Sequence, residues 1–277
     1  MFLVIVHNIY YYQTNLLKAK ANPHTQNLEQ SKVSTLIGPL PIPDKELNIK
    51  LPILMFHHIG TAPDNANSTR EDMTQSPEDF ELEIKWLSEQ GFNSVRLEDI
   101  YLYSLGKKSL PAKPIVFTFD DGYEDAFINA VPILKKYNFI GSFAIITGWQ
   151  GETFGDNTYA TWSQIAQVKN EGMEIISHTQ NHFDGSNAKF NSDYIYQNLT
   201  GSIVDIANHL DFTSNILIYP YGHYTSDYIN QAKKAGFVMG LTVHEGSYIN
   251  LNNLMEIPRV RVHGKQNFEI FKKIIQE

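Results

Sequence analysis

Apolar residues along this chain gather into short runs separated by polar, glycine-containing stretches, and two spacings alternate. LPILMFHHIG (51–60) reads as a buried strand that stops at two histidines and a glycine. IVFTF (115–119), GSFAII (141–146), MEII (173–176), ILIY (216–219), FVMGLTV (237–243) and IPRVRVH (257–263) read as further strands. Between them the spacing is helical. Ser76 as N-cap, Pro77 at the first helical position and Asp79 in the first turn open a helix; Phe80, Ile84 and Leu87 form its apolar face and Gly91 ends it. Further helices are expected from about Ala126 to Tyr137, from a Thr161–Gln164 capping box through Lys169, over 192–209 and 226–235, and in the closing NFEIFKKIIQ. TAPDNANSTREDM (61–73) reads as a long polar loop.

Strand–helix alternation, with strands that are apolar rather than alternating, predicts an α/β fold on a parallel sheet or barrel. In a β/α barrel the C-terminal strand ends share one face, so polar groups distant in sequence converge there. Residues 1–50 are mostly polar and include the irregular GPLPIPDKE; they read as an N-terminal extension or connector, and 51–277 as the main domain. Phe2–Val6 is apolar, but His7 and Asn8 follow and no Lys or Arg precedes it, so an export signal is unclear. No run is long enough to span a membrane.

Composition narrows the partners. The 277 residues suffice for one large domain. A formal charge of −8, from 22 Lys plus Arg against 30 Asp plus Glu, argues against nucleic acid and suits a neutral or cationic ligand. The absence of cysteine excludes disulfides, thiolate nucleophiles and Cys-based zinc sites.

Two strand ends carry candidate chemistry. FTFDDGYED closes an apolar strand with Asp120 and Asp121, and Gly122 permits a tight turn. One carboxylate can ligate a metal while the other meets a water; a capped helix start is the plainer reading. MEIISHTQNHFD places His178 and His182 four apart, a spacing that lets both imidazoles reach one ion. HEXXH is absent. An Asp and two His would leave room for water on the ion, with Asp120 placed to take its proton.

In this order, TFDDG (118–122), SHTQNH (177–182) and YPYG (219–222) resemble the three leading motifs of the polysaccharide deacetylase family (NodB-homology, carbohydrate esterase 4), over roughly 51–264. The resemblance implies a distorted, incomplete (β/α) barrel of the NodB-homology type. It implies Asp120 as general base, Asp121, His178 and His182 as ligands of one divalent ion (zinc first, cobalt or nickel as alternatives), and the Tyr221 backbone N–H as oxyanion donor. The family's Arg two residues before the proline of YPYG is replaced by Ile218, and its fourth and fifth motifs are not clear in GLTVHEG (240–246) or beyond. These departures resemble the branch acting on poly-β-1,6-N-acetylglucosamine. Its early segment matches LMFHH (54–58), which makes His57 the candidate general acid or transition-state electrophile, and its closing Pro-Arg segment matches IPRVRVHG (257–264). On one face of that strand Arg259 or Arg261 could replace the missing Arg, and His263 is the rival acid. Trp149, Trp162, Tyr123 and Phe183 are candidate sugar-stacking rings, with core packing as the plainer reading.

The expected activity is therefore metal-dependent N-deacetylation of an acetylated polysaccharide, most simply poly-β-1,6-N-acetylglucosamine, at an extracellular, periplasmic or cell-surface location. A deacetylase of peptidoglycan, chitin oligomers, xylan or a small amide is the alternative within the chemistry. An inactive carbohydrate-binding relative is the alternative outside it.

Overall fold

The computed structural model of the chain describes residues 48–276, so residues 1–47 of the expected extension lie outside the described residues. Seven strands carry the fold: β1 (Ile53–Phe56), β2 (Pro114–Phe119), β3 (Gly141–Ile145), β4 (Glu174–Ser177), β5 (Ile216–Ile218), β6 (Met239–Glu245) and β7 (Ile257–Arg261). Each pairs in parallel with the next, and β7 returns to β1 with Val260 opposite Leu54, so the sheet closes. The ring is one strand short of an eight-stranded β/α barrel. It is also distorted: β4 meets β5 at one register pair, Ser177 opposite Leu217, and the β6–β7 register slips between Leu241 and Glu245. This is the incomplete barrel that the sequence implied.

Side-chain alternation divides the strands into two layers. Leu54, Phe56, Phe117, Phe119, Phe143, Ile145 and Ile175 face outward onto helical residues such as Phe80, Ile84, Phe127, Val131, Ile165, Ile206 and Phe271. Ile53, Val116, Ala144, Ile176, Ile218, Leu241 and Ile257 fill the inside. Each large side chain so buried is worth about 1.5–3 kcal/mol, which is why these strands are apolar on both faces. The inward parity continues past the apolar layer. Asp120 lies two residues after Thr118, His178 two after Ile176, Arg259 two after Ile257 and His57 two after Met55. The barrel thus turns four residues from four strands toward one mouth.

Most expected elements form within a residue or two of their predicted ends, including the helices Pro77–Glu89, Trp162–Asn170, Ser192–Leu210 and Ser226–Ala235. Three expectations need correction. The polar stretch 61–73 is not all loop: Asn67 accepts from the Arg70 N–H and caps a short helix, Ser68–Asp72. The helix Leu97–Ser104 was not anticipated, because its cap is remote; the Glu174 carboxylate accepts from the N–H groups of Leu97 (2.9 Å) and Glu98 (3.0 Å). And β6 runs to Glu245 while β7 stops at Arg261, so His244 lies inside a strand and His263 outside one. Among the described residues no helix is long and apolar enough to cross a membrane.

Candidate active site

Asp120 takes the inward position just past β2, and Asp121 then turns away with φ 71°, followed by Gly122 at φ 83°. A left-handed non-glycine residue costs about 1–2 kcal/mol, and the turn brings Asp121 to two imidazoles. Its Oδ1 lies 3.1 Å from His178 Nε2 and 3.2 Å from His182 Nε2. One ligand atom from each of the three lies within 4.8 Å of the others. His178 stands at the end of β4. Its Nδ1 donates to the Ile218 carbonyl at 2.8 Å, which in the neutral ring leaves the Nε2 lone pair facing Asp121.

This donor set fits a divalent cation. Asp121 is held well below the usual carboxylate range: burial opposes this, but hydrogen bonds and charge from His178 and His182 outweigh it. His178 is raised; burial works against its charge, while Asp121 and Asp120 favour it. A buried field that favours a positive charge between these groups also favours a metal ion.

The loop that carries His182 is strained and clamped. Thr179 (φ 69°) and His182 (φ 49°) are both left-handed. On the helix Ser192–Leu210, buried Asn198 accepts through Oδ1 from the N–H groups of Gln180 (2.9 Å) and Asn181 (3.3 Å). One turn or so along, Asp205 accepts from Gln180 Nε2 (3.0 Å) and from Thr147 Oγ1 (2.7 Å). Sequence reading missed these two residues. The available signal was an Asn on the stripe that buries Ile195, Leu199, Ser202 and Ile206.

Asp120 lies against Arg259, whose Nη1 and Nη2 donate to its two carboxylate oxygens at 2.7 and 2.8 Å. Arg259 also donates from Nε to the Thr242 carbonyl and from Nη1 to Thr118 Oγ1. Burial alone would raise the Asp120 pKa, but the charge and hydrogen bonds of Arg259, helped by His178 and His57, hold it below the ordinary value. The arginine missing at Ile218 is thus supplied from β7. The other two candidates of that segment go elsewhere: Arg261 Nε is 3.6 Å from Asp72, and exposed His263 has Nδ1 2.8 Å from the same carboxylate.

His57 feels the charges of both Asp120 and Asp121, yet its pKa is lowered to about 4. Burial is the largest cause; the two carboxylates oppose it, and Arg259 and Arg261 reinforce it. At neutral pH this ring is uncharged. His58 is buried in another direction, stacked on Tyr123 at 3.7 Å with Nδ1 2.8 Å from Asp125.

Tyr221 sits in a tight turn, with φ 59° between Pro220 and Gly222. A Cβ on Gly222 would lie 2.3 Å from Val243 Cγ2, so glycine is required there. The Tyr221 ring lies 4.6 Å from His182. Of the proposed stacking rings, Tyr123 and Phe183 are buried core, and Trp162 stacks on His209 at 4.1 Å; Trp149 borders the site, 5.6 Å from His182.

Comparison with known proteins agrees with this geometry. A family model described as polysaccharide deacetylase matches residues 107–240. The Bacillus subtilis protein YxkH, named after polysaccharide deacetylases, is 30% identical over 227 residues, covering 82% of this chain and 76% of that protein. The poly-β-1,6-N-acetyl-D-glucosamine N-deacetylase of Escherichia coli O157:H7 is 27% identical over 239 residues, covering 70% of this chain; the match spans 34% of that longer relative. The structure of the Streptococcus pyogenes deacetylase PplD in complex with acetate superposes with a TM-score of 0.73 at 26% identity, covering 83% of this chain and 99% of that one.

Proposed function

Because this chain belongs to the polysaccharide deacetylase family, we propose that it hydrolyses N-acetyl groups on an acetylglucosamine-containing polysaccharide and releases acetate. Poly-β-1,6-N-acetylglucosamine is the first substrate to consider. The similarity to the E. coli enzyme of that name supports it, as does supply of the Asp120 partner by Arg259 rather than from position 218. One observation carries the reading: a buried, ionised Asp120 stands beside the Asp121–His178–His182 cluster.

In this reading Asp121, His178 and His182 hold one divalent ion, with zinc the best match to two imidazoles and a carboxylate, and cobalt or nickel the alternatives. The bound ion supplies Lewis-acid polarisation of the acetyl carbonyl and lowers the pKa of a water. Asp120 accepts the proton of that water as its oxygen attacks the carbonyl carbon. Arg259 keeps Asp120 charged and fixes which lone pair faces the water. The Tyr221 backbone N–H and the N–H of neutral His57 donate to the carbonyl oxygen as negative charge develops there. When the C–N bond breaks, the proton held by Asp120 passes to the departing nitrogen, leaving acetate and a free amino sugar. His57 thus serves as an electrophile rather than as the general acid, because burial and two arginines hold it uncharged.

Residues 51–277 form the catalytic domain in this proposal and 1–50 an extension or connector. A polymeric exopolysaccharide as substrate places the protein outside the cytoplasm, in the medium, the periplasm or at the cell surface. The deciding experiment measures acetate release from β-1,6- and β-1,4-linked acetylglucosamine oligomers by protein stripped with chelator and reloaded with zinc, cobalt or nickel. Metal-dependent release from the β-1,6 series is expected. Preference for β-1,4 oligomers or peptidoglycan fragments would reassign the substrate. Metal-saturated protein that releases no acetate from any of them would leave the carbohydrate-binding alternative.

A further inference from the structure

A strip of aromatic rings passes through the candidate active site. The His182 ring lies 5.6 Å from Trp149 and 4.6 Å from Tyr221. Trp149 continues to Phe154 at 5.6 Å, and Tyr221 to His223 at 6.1 Å. The outer members are open to solvent, Phe154 at 50% and Tyr221 at 55%. Large apolar rings left in water beside a catalytic cluster mark a binding surface more often than a packing fault.

Both arms are built rather than adventitious. Trp149 ends a short turn, Thr147–Trp149, in which the N–H groups of Thr147 and Gly148 donate to the carbonyls of Thr179 and Gln180 in the His182 loop, at 3.1 and 3.0 Å. A Cβ on Gly148 would stand 2.6 Å from that Gln180 oxygen, so this close seam needs glycine. Phe154 is fixed by a hairpin in which Thr153 pairs with Thr158 and Phe154 with Asn157. On the other arm, Tyr221 borders a cavity of about 450 Å³ whose polar lining includes Asn181, Asp184, Asn187 and Lys189.

Aromatic faces flanked by amide, carboxylate and ammonium groups match a pyranose ring, which presents a C–H face and a rim of hydroxyls. A nucleic acid would also stack, but its phosphates would meet a chain of net charge −8. Resting on the deacetylase reading, we infer that the protein holds its polysaccharide as an extended chain across the cluster, with sugars bound on both sides of the one that reacts. One flanking sugar stacks on the Trp149–Phe154 arm, and the other lies on Tyr221 over the polar cavity. The arrangement makes the enzyme a length-sensing one, in which flanking sugars help to hold the reacting acetamide in place.

The test compares acetylglucosamine monomer through hexamer, with wild type, Phe154→Ala and Phe154→Tyr as full chains loaded with zinc. In wild type kcat/KM should rise from monomer to hexamer. Phe154→Ala should reduce the hexamer-to-monomer ratio of kcat/KM about fivefold to tenfold, and Phe154→Tyr should restore it. A purely structural role would lower both substrates together and leave the ratio intact. An unchanged ratio in Phe154→Ala, or a wild type indifferent to length, overturns the inference. Oligomer affinity measured by calorimetry separates this from the chemistry. Length-dependent binding that Phe154→Ala weakens, with no acetate released, would keep the strip and reject the deacetylase; acetate release without length-dependent binding would do the reverse.

Discussion

Arg259 grips Asp120 through two parallel hydrogen bonds, Nη1 to Oδ1 at 2.7 Å and Nη2 to Oδ2 at 2.8 Å, with both side chains sealed from solvent. The pair joins β7 to the end of β2 across the barrel mouth. A buried ion pair of this kind is costly to break from one side, because the remaining charge is stranded. Arg259→Leu should therefore lower the unfolding free energy by about 3–5 kcal/mol, read from urea midpoints. Adding Asp120→Asn should recover part of that loss. A double variant no more stable than Arg259→Leu alone would show that the pair is not coupled as the geometry indicates.

Removal of the proposed base should separate chemistry from metal binding. Asp120→Asn should reduce acetate release by about 10²–10⁴-fold while equilibrium dialysis still shows one metal per chain. Asp121→Ala should lose the metal. Full turnover by the first variant, or full occupancy in the second, would reverse these role assignments.

Asn198 holds the His182 loop through two backbone N–H groups without belonging to the cluster. Asn198→Ala frees both groups and should weaken metal affinity roughly 10–100-fold, as loss of an outer partner commonly does. A metal titration by competing chelator is the readout. A fall in melting temperature with unchanged affinity would make Asn198 a core residue only.

Glu83, buried in the helix Pro77–Glu89, has its pKa raised to about 8; burial is the main cause, a Gln75 hydrogen bond opposes it and Asp79 adds to it. The unfolded chain releases this proton near 4.5, so its favourable contribution is complete below that pH and is lost as pH rises from about 4.5 to 8. The shift corresponds to an upper figure on the order of 5 kcal/mol. Glu83→Gln should be little different from wild type at pH 4.5 and more stable at pH 8, as measured by chemical denaturation. Parallel pH profiles of stability would refute this.

Much of the architecture was legible because it is local. Strands apolar on both faces and helices with three-four spacing identify a β/α fold, and an N-cap such as Ser76 or Thr161 announces a helix start within its own turn. The candidate cluster was legible too, since Asp120, Asp121, His178 and His182 sit in two compact segments. What stayed hidden depends on partners brought together only by barrel closure. Among Arg259, Arg261 and His263, the chain order gives no preference. The end of β7 at Arg261, and the inward parity of Arg259 two residues beyond Ile257, send one to Asp120 and leave the others at Asp72. Likewise Glu174 caps a helix that begins at Leu97, and Asn198 clamps a loop from an otherwise ordinary amphipathic helix. A periodicity specifies which face of an element is buried; only the packed tertiary structure sets which polar groups on those faces meet, because hydrogen-bond partners are chosen by distance in space and not by separation along the chain.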